Sequence, residues 1–379
     1  MKIEQRVWTK ENGWMPEKSG NFNKDVQLVL VFGSTSALKN LERFNEIKSD
    51  YPNADVFGCS TAGEVCGTQV LDDSIIATAV NFEYTEVKSS RIIISDVENS
   101  FQAGKQLAHS LDKQGLKHVI VLSEGTKING SDLVRGLTQH LPDEVTLTGG
   151  LSGDGARFEE TIVVWNGEPA NDAVACLGFY GDRLKIGYGS LGGWDTFGPY
   201  RLITRSEGNV LYELDGKSAL ELYKKYLGEH AKGLPATGLL FPLNLKVKEG
   251  DRPVVRTILS IDEKDQSMTF AGDVPEGAYV QLMKANFDRL IDGATGAAKI
   301  CHEAVGSKSP DLAILISCVG RKMVLKQRVE EEVEAVSEVL GENTVLTGFY
   351  SYGEISPFIP GAKCELHNQT MTITTLLEE

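Results

Sequence analysis

One pattern occurs three times in this 379-residue chain and limits what it can fold into. Each copy opens with a short apolar run: Leu28-Val29-Leu30-Val31-Phe32, Val119-Ile120-Val121-Leu122 and Leu312-Ala313-Ile314-Leu315-Ile316. Runs this uniform fit strands covered on both faces, not strands with one wet face. A turn rich in Gly, Ser or Thr follows at Gly33-Ser34-Thr35, Gly125-Thr126 and Gly320. Helical spacing comes next over about 36–50, 130–141 and 324–340, clearest in Val329, Val333, Val336 and Leu340. A second strand then ends on a glycine: Val56-Phe57-Gly58, Leu147-Thr148-Gly149 and Leu346-Thr347-Gly348. A third strand is expected at 75–82, 174–180 and 371–376.

The residues after those glycines carry the most information. Gly58-Cys59-Ser60-Thr61-Ala62-Gly63-Glu64-Val65 aligns without a gap on Gly348-Phe349-Tyr350-Ser351-Tyr352-Gly353-Glu354-Ile355. The middle copy, Gly149-Gly150-Leu151-Ser152-Gly153-Asp154, is one residue shorter. A β-α-β unit makes its two strands parallel, and such sheets bind ligands beyond the carboxyl ends of the strands. All three loops leave such ends. Ser60, Thr61, Gly63, Glu64, Ser152, Asp154, Ser351, Tyr352 and Glu354 are therefore candidate ligand-binding residues. The competing reading is a tight turn whose hydroxyls and carboxylates bond their own backbone.

Between the copies lie stretches that read as antiparallel meanders, 161–206 and 253–282. A helix is expected over about 217–227 with Asp215 as N-cap, and another over about 285–305. The expected fold is mixed α+β within the α/β class: repeated β-α-β units with glycine loops plus antiparallel meanders, in two lobes. A polar arm or edge strand is expected at 1–24, one domain at 25–212 and a second at 213–379.

The formal charge of −15 disfavours nucleic acid or an anionic membrane as partner. No apolar run approaches the roughly 20 residues of a membrane span, and Met1 to Arg6 lead into no secretory h-region, so a cytoplasmic location is expected. The six cysteines form no C-x-x-C pair, which excludes a zinc ribbon, and Cys364 with His367 supplies half a metal site. Gly125 to Ser131 has P-loop glycine spacing but lacks its lysine. Gly187-Tyr188-Gly189-Ser190-Leu191-Gly192 leads into Gly193 to Pro199, which cannot open a helix as a dinucleotide site requires. No nucleophile elbow occurs. The chain is read as a non-enzyme, with a cysteine-dependent enzyme built on Cys59 as an alternative.

These motifs, together with Leu366-His367-Asn368-Gln369-Thr370-Met371-Thr372, Gly238-Leu239-Leu240-Phe241-Pro242-Leu243 and Arg252-Pro253-Val254-Val255-Arg256, resemble the FIST family of sensory modules. The likeness covers nearly the whole chain after about residue 25, with an N-terminal FIST domain at 25–212 and a C-terminal one at 213–379. It implies an intracellular sensor for a small ligand, amino acids being the generic suggestion. One branch of the family is similar in its stand-alone form and consists of haem-binding nitric oxide sensors that act on histidine kinases. With no kinase or cyclase segment of its own, this chain is expected to report through such a partner, and self-association is left open.

Under that reading haem b needs an axial ligand, and His230 is favoured as the metal ligand. It continues the stripe of Ala219, Tyr223, Tyr226 and Leu227, although it also reads as an ordinary helix C-terminal histidine. His367 comes next, or is a loop histidine. Arg252 and Arg256 would face the propionates. His118 is expected at the surface. Three readings stay open: a haem-based nitric oxide sensor, a sensor of a small polar metabolite such as an amino acid, and a cysteine-dependent enzyme.

Overall fold

Each apolar run forms a buried strand: Leu28–Gly33 and Leu312–Cys318 along their whole length, and Leu116–Ser123 at every position but the exposed Lys117. The computed structural model describes residues 1–17, 23–248, 253–359 and 361–379. In each unit a helical crossover returns the chain to a parallel neighbour: Asp55–Ser60, Thr146–Leu151 and Val345–Ser351. A third strand, Ile75–Asn81, Ala173–Tyr180 or Met371–Glu378, pairs antiparallel with the other side of the first. A strand that precedes each unit, Lys2–Thr9, Glu86–Ile93 or Leu184–Leu191, then pairs antiparallel with the third. The expected amino-terminal arm thus contains an element of the first sheet.

The strand after each glycine loop does not stay in its own sheet. Glu64–Cys66 of the first unit pairs with Val345–Ser351 of the third. Gly353–Pro357 of the third pairs with Thr146–Leu151 of the second, and Val163–Trp165 of the second pairs with Asp55–Ser60 of the first. The exchange closes a ring, so no unit completes its sheet alone.

The inner faces of the three sheets meet in one apolar core that includes Leu30, Phe32, Ile120, Leu122, Ile316 and Phe349. Phe32 stacks on Phe349 with ring centroids 4.9 Å apart. Burying each such side chain contributes about 1.5–3 kcal/mol. Hydroxyl pairs join the units where apolar contact gives out: Thr374 donates to Thr148 at 2.8 Å and Thr78 to Thr347 at 3.0 Å. At the corresponding position between the first and second units, Phe57 and Leu177 share the apolar core. Helices cover the outer faces, as where Phe44 and Ile47 of Leu41–Asp50 pack on Val29, Val31 and Val56.

The third unit is interrupted. Between Leu184–Leu191 and the helix Phe287–Ala304 lies an antiparallel lobe running from strand Trp194–Glu207 to strand Tyr279–Ala285, with its own core around Leu211, Tyr223, Leu243, Phe270 and Leu282. The chain is therefore a mixed α+β fold of two lobes, a threefold body and an insert. Position 212/213 falls inside strand Val210–Leu214 of the insert. The helix Ala219–Leu227 is capped by Ser218, whose Oγ accepts from Glu221 N at 3.2 Å, and not by Asp215. Asp215 sits earlier, at φ 52°, where its carboxylate takes Leu202 N and the Arg201 guanidinium.

Candidate functional site

The three glycine loops do come together, and they close on one another. Gly153 N donates to Ser60 O at 2.9 Å and Gly155 N to Thr61 O at 3.1 Å. Ala62 N donates to Tyr350 O and Tyr350 N to Gly63 O, both at 2.8 Å, while Tyr352 N donates to Leu151 O at 3.2 Å. Their side chains also turn inward. Thr61 Oγ1 donates to Glu64 Oε1, and Ser74 gives its N–H and hydroxyl to Oε2 at 3.2 and 2.7 Å. The third unit repeats this: Ser351 Oγ donates to Glu354 Oε1 at 2.7 Å, and Thr370 gives its N–H and hydroxyl to Oε2 at 3.1 and 3.0 Å. Asp154 accepts from Phe158 N, Glu159 N, Glu160 N and the Tyr352 hydroxyl. Ser60 Oγ accepts from Ile162 N and Ser152 Oγ donates to Ser123 O. The loops expected to bind ligand have thus spent this polar capacity on turn geometry, as the competing reading allowed.

Burial pushes Glu64 up to about 7 and Glu354 up to about 8, against the donors that pull both down. It also pushes His118 down to about 3 and His367 down to about 4. His118 is not at the surface: it lies fully buried between the hydroxyls of Thr146 and Thr148, while its neighbour Lys117 takes the exposed position of the strand. A raised carboxyl keeps its proton in the folded chain after the unfolded chain has lost it, so stability rises as pH falls from about 8. Below the ordinary histidine value of 6.5, unfolding lets His118 and His367 take up protons, which opposes that gain. Urea midpoints are expected to peak between about pH 5 and 6, where proton uptake by the unfolded histidines balances the protons held by the native carboxyls, and Glu354→Gln should flatten the alkaline limb. An alkaline limb of unchanged slope in the variant would mean that Glu354 is ionised in the native chain.

The described residues expected to hold haem differ in their surroundings. Arg252 lies outside the described residues. His230 is exposed in the turn Gly228–Gly233, since Gly228 at φ 56° ends the preceding helix before the apolar stripe reaches it. Its ring centroid lies 5.2 Å from that of Phe241. His367 is buried, donates from Nε2 to Ser356 O at 2.7 Å, and lies with its ring centroid 4.0 Å from that of Phe358. Arg256 is also buried and spends Nε on Asp273 O and Nη1 on Val255 O and Leu366 O. An exposed histidine, a sealed one with its Nε2 engaged and a guanidinium held by carbonyls do not fit haem. Among the described residues no group of three or more His, Cys, Asp or Glu could hold a metal ion. The Cys59 thiol is pushed well up by complete burial, which keeps it protonated and poorly nucleophilic.

A different cluster lies where the insert meets the body. The turn Asp72-Asp73-Ser74 of the first unit corresponds to Asn368-Gln369-Thr370 of the third, and its middle residue has positive φ both times, 55° and 63°. Asp72 and Asp73 are exposed. Gln369 is completely buried by the insert: its Nε2 donates to Leu239 O at 2.9 Å and its carbonyl accepts from Trp194 Nε1 at 3.1 Å. Thr257 N donates to Asn368 Oδ1 at 3.2 Å. Among the described residues, three buried atoms here have no hydrogen-bond partner: His367 Nδ1, Gln369 Oε1 and Thr257 Oγ1. Of these residues the sequence marks His367 as a candidate ligand and Asn368 to Thr370 only as part of a family motif. Laying the first and third repeats over each other through residue 370 would have set two exposed-type aspartates against two amides and marked the turn.

Next to this junction, an open cleft lined by Gly192, Gly193, Trp194, Arg289, Asp292 and Gly293 follows the crossing between the lobes. No helix among the described residues is long and apolar enough to cross a membrane.

The profile of the FIST N domain matches residues 27–217 and that of the FIST C domain residues 219–357. The chain is 24% identical over 352 residues to the uncharacterized protein MJ1623 of Methanocaldococcus jannaschii, over 82% of this chain and 66% of that protein. It thus spans slightly under two thirds of that relative's length. Among solved structures, a cyanuric acid hydrolase from A. caulinodans aligns with 78% of this chain and 99% of its own at 11% identity, with a TM-score of 0.19. A second cyanuric acid hydrolase, also at 11% identity, covers 78% of this chain and 100% of its own with a TM-score of 0.18. Scores this low carry no argument about fold or activity.

Proposed function

This chain belongs to the FIST family, and from that premise we propose that it is a sensory protein whose two lobes together bind one small polar metabolite, such as an amino acid. The observation that carries this reading is the insert seated on the turn at 367–370, where buried acceptors lack partners among the described residues. A ligand taken up at a contact between two lobes favours one arrangement of them over another, which is what a sensor requires. The output would pass to a partner protein, a histidine kinase in the reading that the family likeness implies. The haem-based alternative draws no support from the donor set described above.

Thermal denaturation with a panel of polar metabolites tests the proposal. A ligand at 100 times its dissociation constant adds about 2.7 kcal/mol, which reads as a rise of a few degrees. At least one polar metabolite is expected to produce it. Haemin added to the protein is expected to give no stoichiometric Soret band. A band lost in His230→Ala or His367→Ala would replace this reading with the haem one.

A further inference from the structure

We infer that the strand Glu86–Ile93 is a docking edge for a second copy of this chain, which pairs with it antiparallel about a two-fold axis at Ser90 and joins two six-stranded sheets edge to edge. This goes beyond the sensor reading and does not depend on it.

Each of the three units has one outer strand, and the three outer edges are finished differently. Lys2–Thr9 carries the strand Gly13–Met15 on its outer side, with Val7 opposite Met15, Trp8 opposite Trp14 and Thr9 opposite Gly13. Leu184–Leu191 is sealed within the molecule: Ser190 N donates to Phe358 O at 3.3 Å, and Leu184, Tyr188 and Ser190 are buried. Among the described residues, Glu86–Ile93 has neither cover. It pairs with Ala173–Tyr180 on one side, no strand pairs with it on the other, and none of its eight residues is buried. Exposed edges are normally blunted by shortness, a proline, a bulge or a charge that opposes pairing. This strand is eight residues long, has no proline and keeps an unbroken register. Its charges are answered within the molecule: Lys88 lies 3.4 Å from Glu86 and 3.9 Å from Asp112, and Arg91 lies 3.4 Å from Glu168.

The hydrogen bonds already made say which backbone groups point outward. Ile94 N donates to Asp172 O, and bonded pairs alternate along an antiparallel ladder, so Ile92, Ser90 and Lys88 also turn their backbone toward Ala173–Tyr180. Val87, Ser89, Arg91 and Ile93 turn theirs outward. A second copy centred on Ser90 sets Val87 against the partner's Ile93 and Ser89 against the partner's Arg91, so all four outward residues are paired at once. Lys88 then falls opposite the partner's Ile92, and no like charges face each other. Moving the copy by two residues one way leaves Ile93 opposite no residue of the partner strand. Moving it the other way leaves Val87 so and sets Arg91 against the partner's Arg91. At the axis the two Ser90 side chains meet in the closely spaced kind of pair, which suits a small residue. An isologous contact needs a surface complementary to itself, and this strand meets that condition in the centred register.

Sedimentation of the whole chain between about 1 and 100 µM is expected to show a monomer–dimer equilibrium, the strength that a small, largely polar interface supplies. Ser90→Glu and Ser90→Lys each set like charges against each other across the axis, and each is expected to weaken the dimer at least about tenfold. An equimolar mixture of the two variants should dimerise again, because opposite charges then meet, and that recovery also shows that both variants are folded. Hydrogen exchange in wild type needs no variant. The amides of Val87, Ser89, Arg91 and Ile93 should gain protection as the protein is concentrated, while those of Lys88, Ser90 and Ile92 are protected throughout. A wild type that stays monomeric over the whole range, with those four amides exchanging freely, would overturn the proposal. So would a dimer that both variants retain, since its contact would lie elsewhere. A mixture that stays monomeric, although each variant melts like wild type, would remove the axis at Ser90 and the proposal with it.

Discussion

Gly348→Ala is expected to cost at least about 3 kcal/mol, a large part of the 5–15 kcal/mol that holds a typical domain together. The reason is a contact that occurs three times. A Cβ built on Gly348 would lie 1.9 Å from Leu315 O, one on Gly149 1.9 Å from Val121 O, and one on Gly58 1.7 Å from Val31 O. In each case the oxygen belongs to the residue directly paired with the glycine on the neighbouring parallel strand. No rotamer relieves a clash between a Cβ and a backbone carbonyl, so the strand pair itself must separate. Gly348 and Gly149 also sit at φ 155° and 151°, where a side chain adds strain. Gly277→Ala is the control. Its φ is 82° but open space surrounds it, so the expected loss is about 1–2 kcal/mol from backbone conformation alone. Urea denaturation of both variants checks the difference. Equal losses would mean that the repeated glycine is not a packing device, and would return it to the ligand-binding reading.

That repeated glycine shows what the sequence could and could not say. The unit was legible because it is local: an apolar run, a crossover helix and a strand ending on glycine each leave a short-range pattern. The purpose of the glycine was not, because the atom that forbids a side chain belongs to a strand roughly thirty residues away. The exchange of strands among the units was hidden for the same reason. Nothing in Glu64-Val65-Cys66 tells that its partner is Val345–Ser351, since a strand's own residues describe its faces and not its neighbour. The insert was hidden because its strands read like any other meander, and only the pairing of Leu184–Leu191 with Met371–Glu378 reveals that the third unit begins before it. His230 illustrates a limit of periodicity: the spacing from Tyr226 and Leu227 holds only while the helix continues, and Gly228 ends it. The polar residues of the glycine loops were correctly seen as a repeated constellation. Their orientation, inward on Ser74 and Thr370, depends on residues 10 and 16 positions later.

The second large effect concerns a buried ion pair at the crossing between the lobes. Glu332 and Arg321 are both fully buried, with Arg321 Nε and Nη2 donating to Glu332 Oε2 at 3.0 and 2.6 Å. Ser317 Oγ and Tyr350 Oη donate to Oε1 at 3.1 and 2.6 Å. Burial and the facing carboxylate raise the Tyr350 hydroxyl well above its usual range, so it remains a donor. Glu332→Gln leaves the guanidinium buried without its counter-charge, and the expected loss is about 3–5 kcal/mol. Arg321→Met, which strands the carboxylate instead, should cost about as much. Replacing both partners, with Arg321→Met and Glu332→Leu, should recover most of that loss, because desolvating two charges offsets much of their attraction. Arg321 has a further role that the double variant isolates. Its Nη1 and Nη2 also donate to Gly192 O at 3.3 Å and Leu290 O at 2.6 Å, on the two segments that lead into and out of the insert. If the pair serves stability alone, the double variant should melt near wild type and keep the thermal response to ligand. If it also holds the crossing in register, the double variant should melt near wild type and lose that response, because ligand taken up at the junction no longer meets a fixed lobe. The second result is expected, since a charge pair that apolar residues can replace energetically is retained here with its remaining donors on both crossing segments.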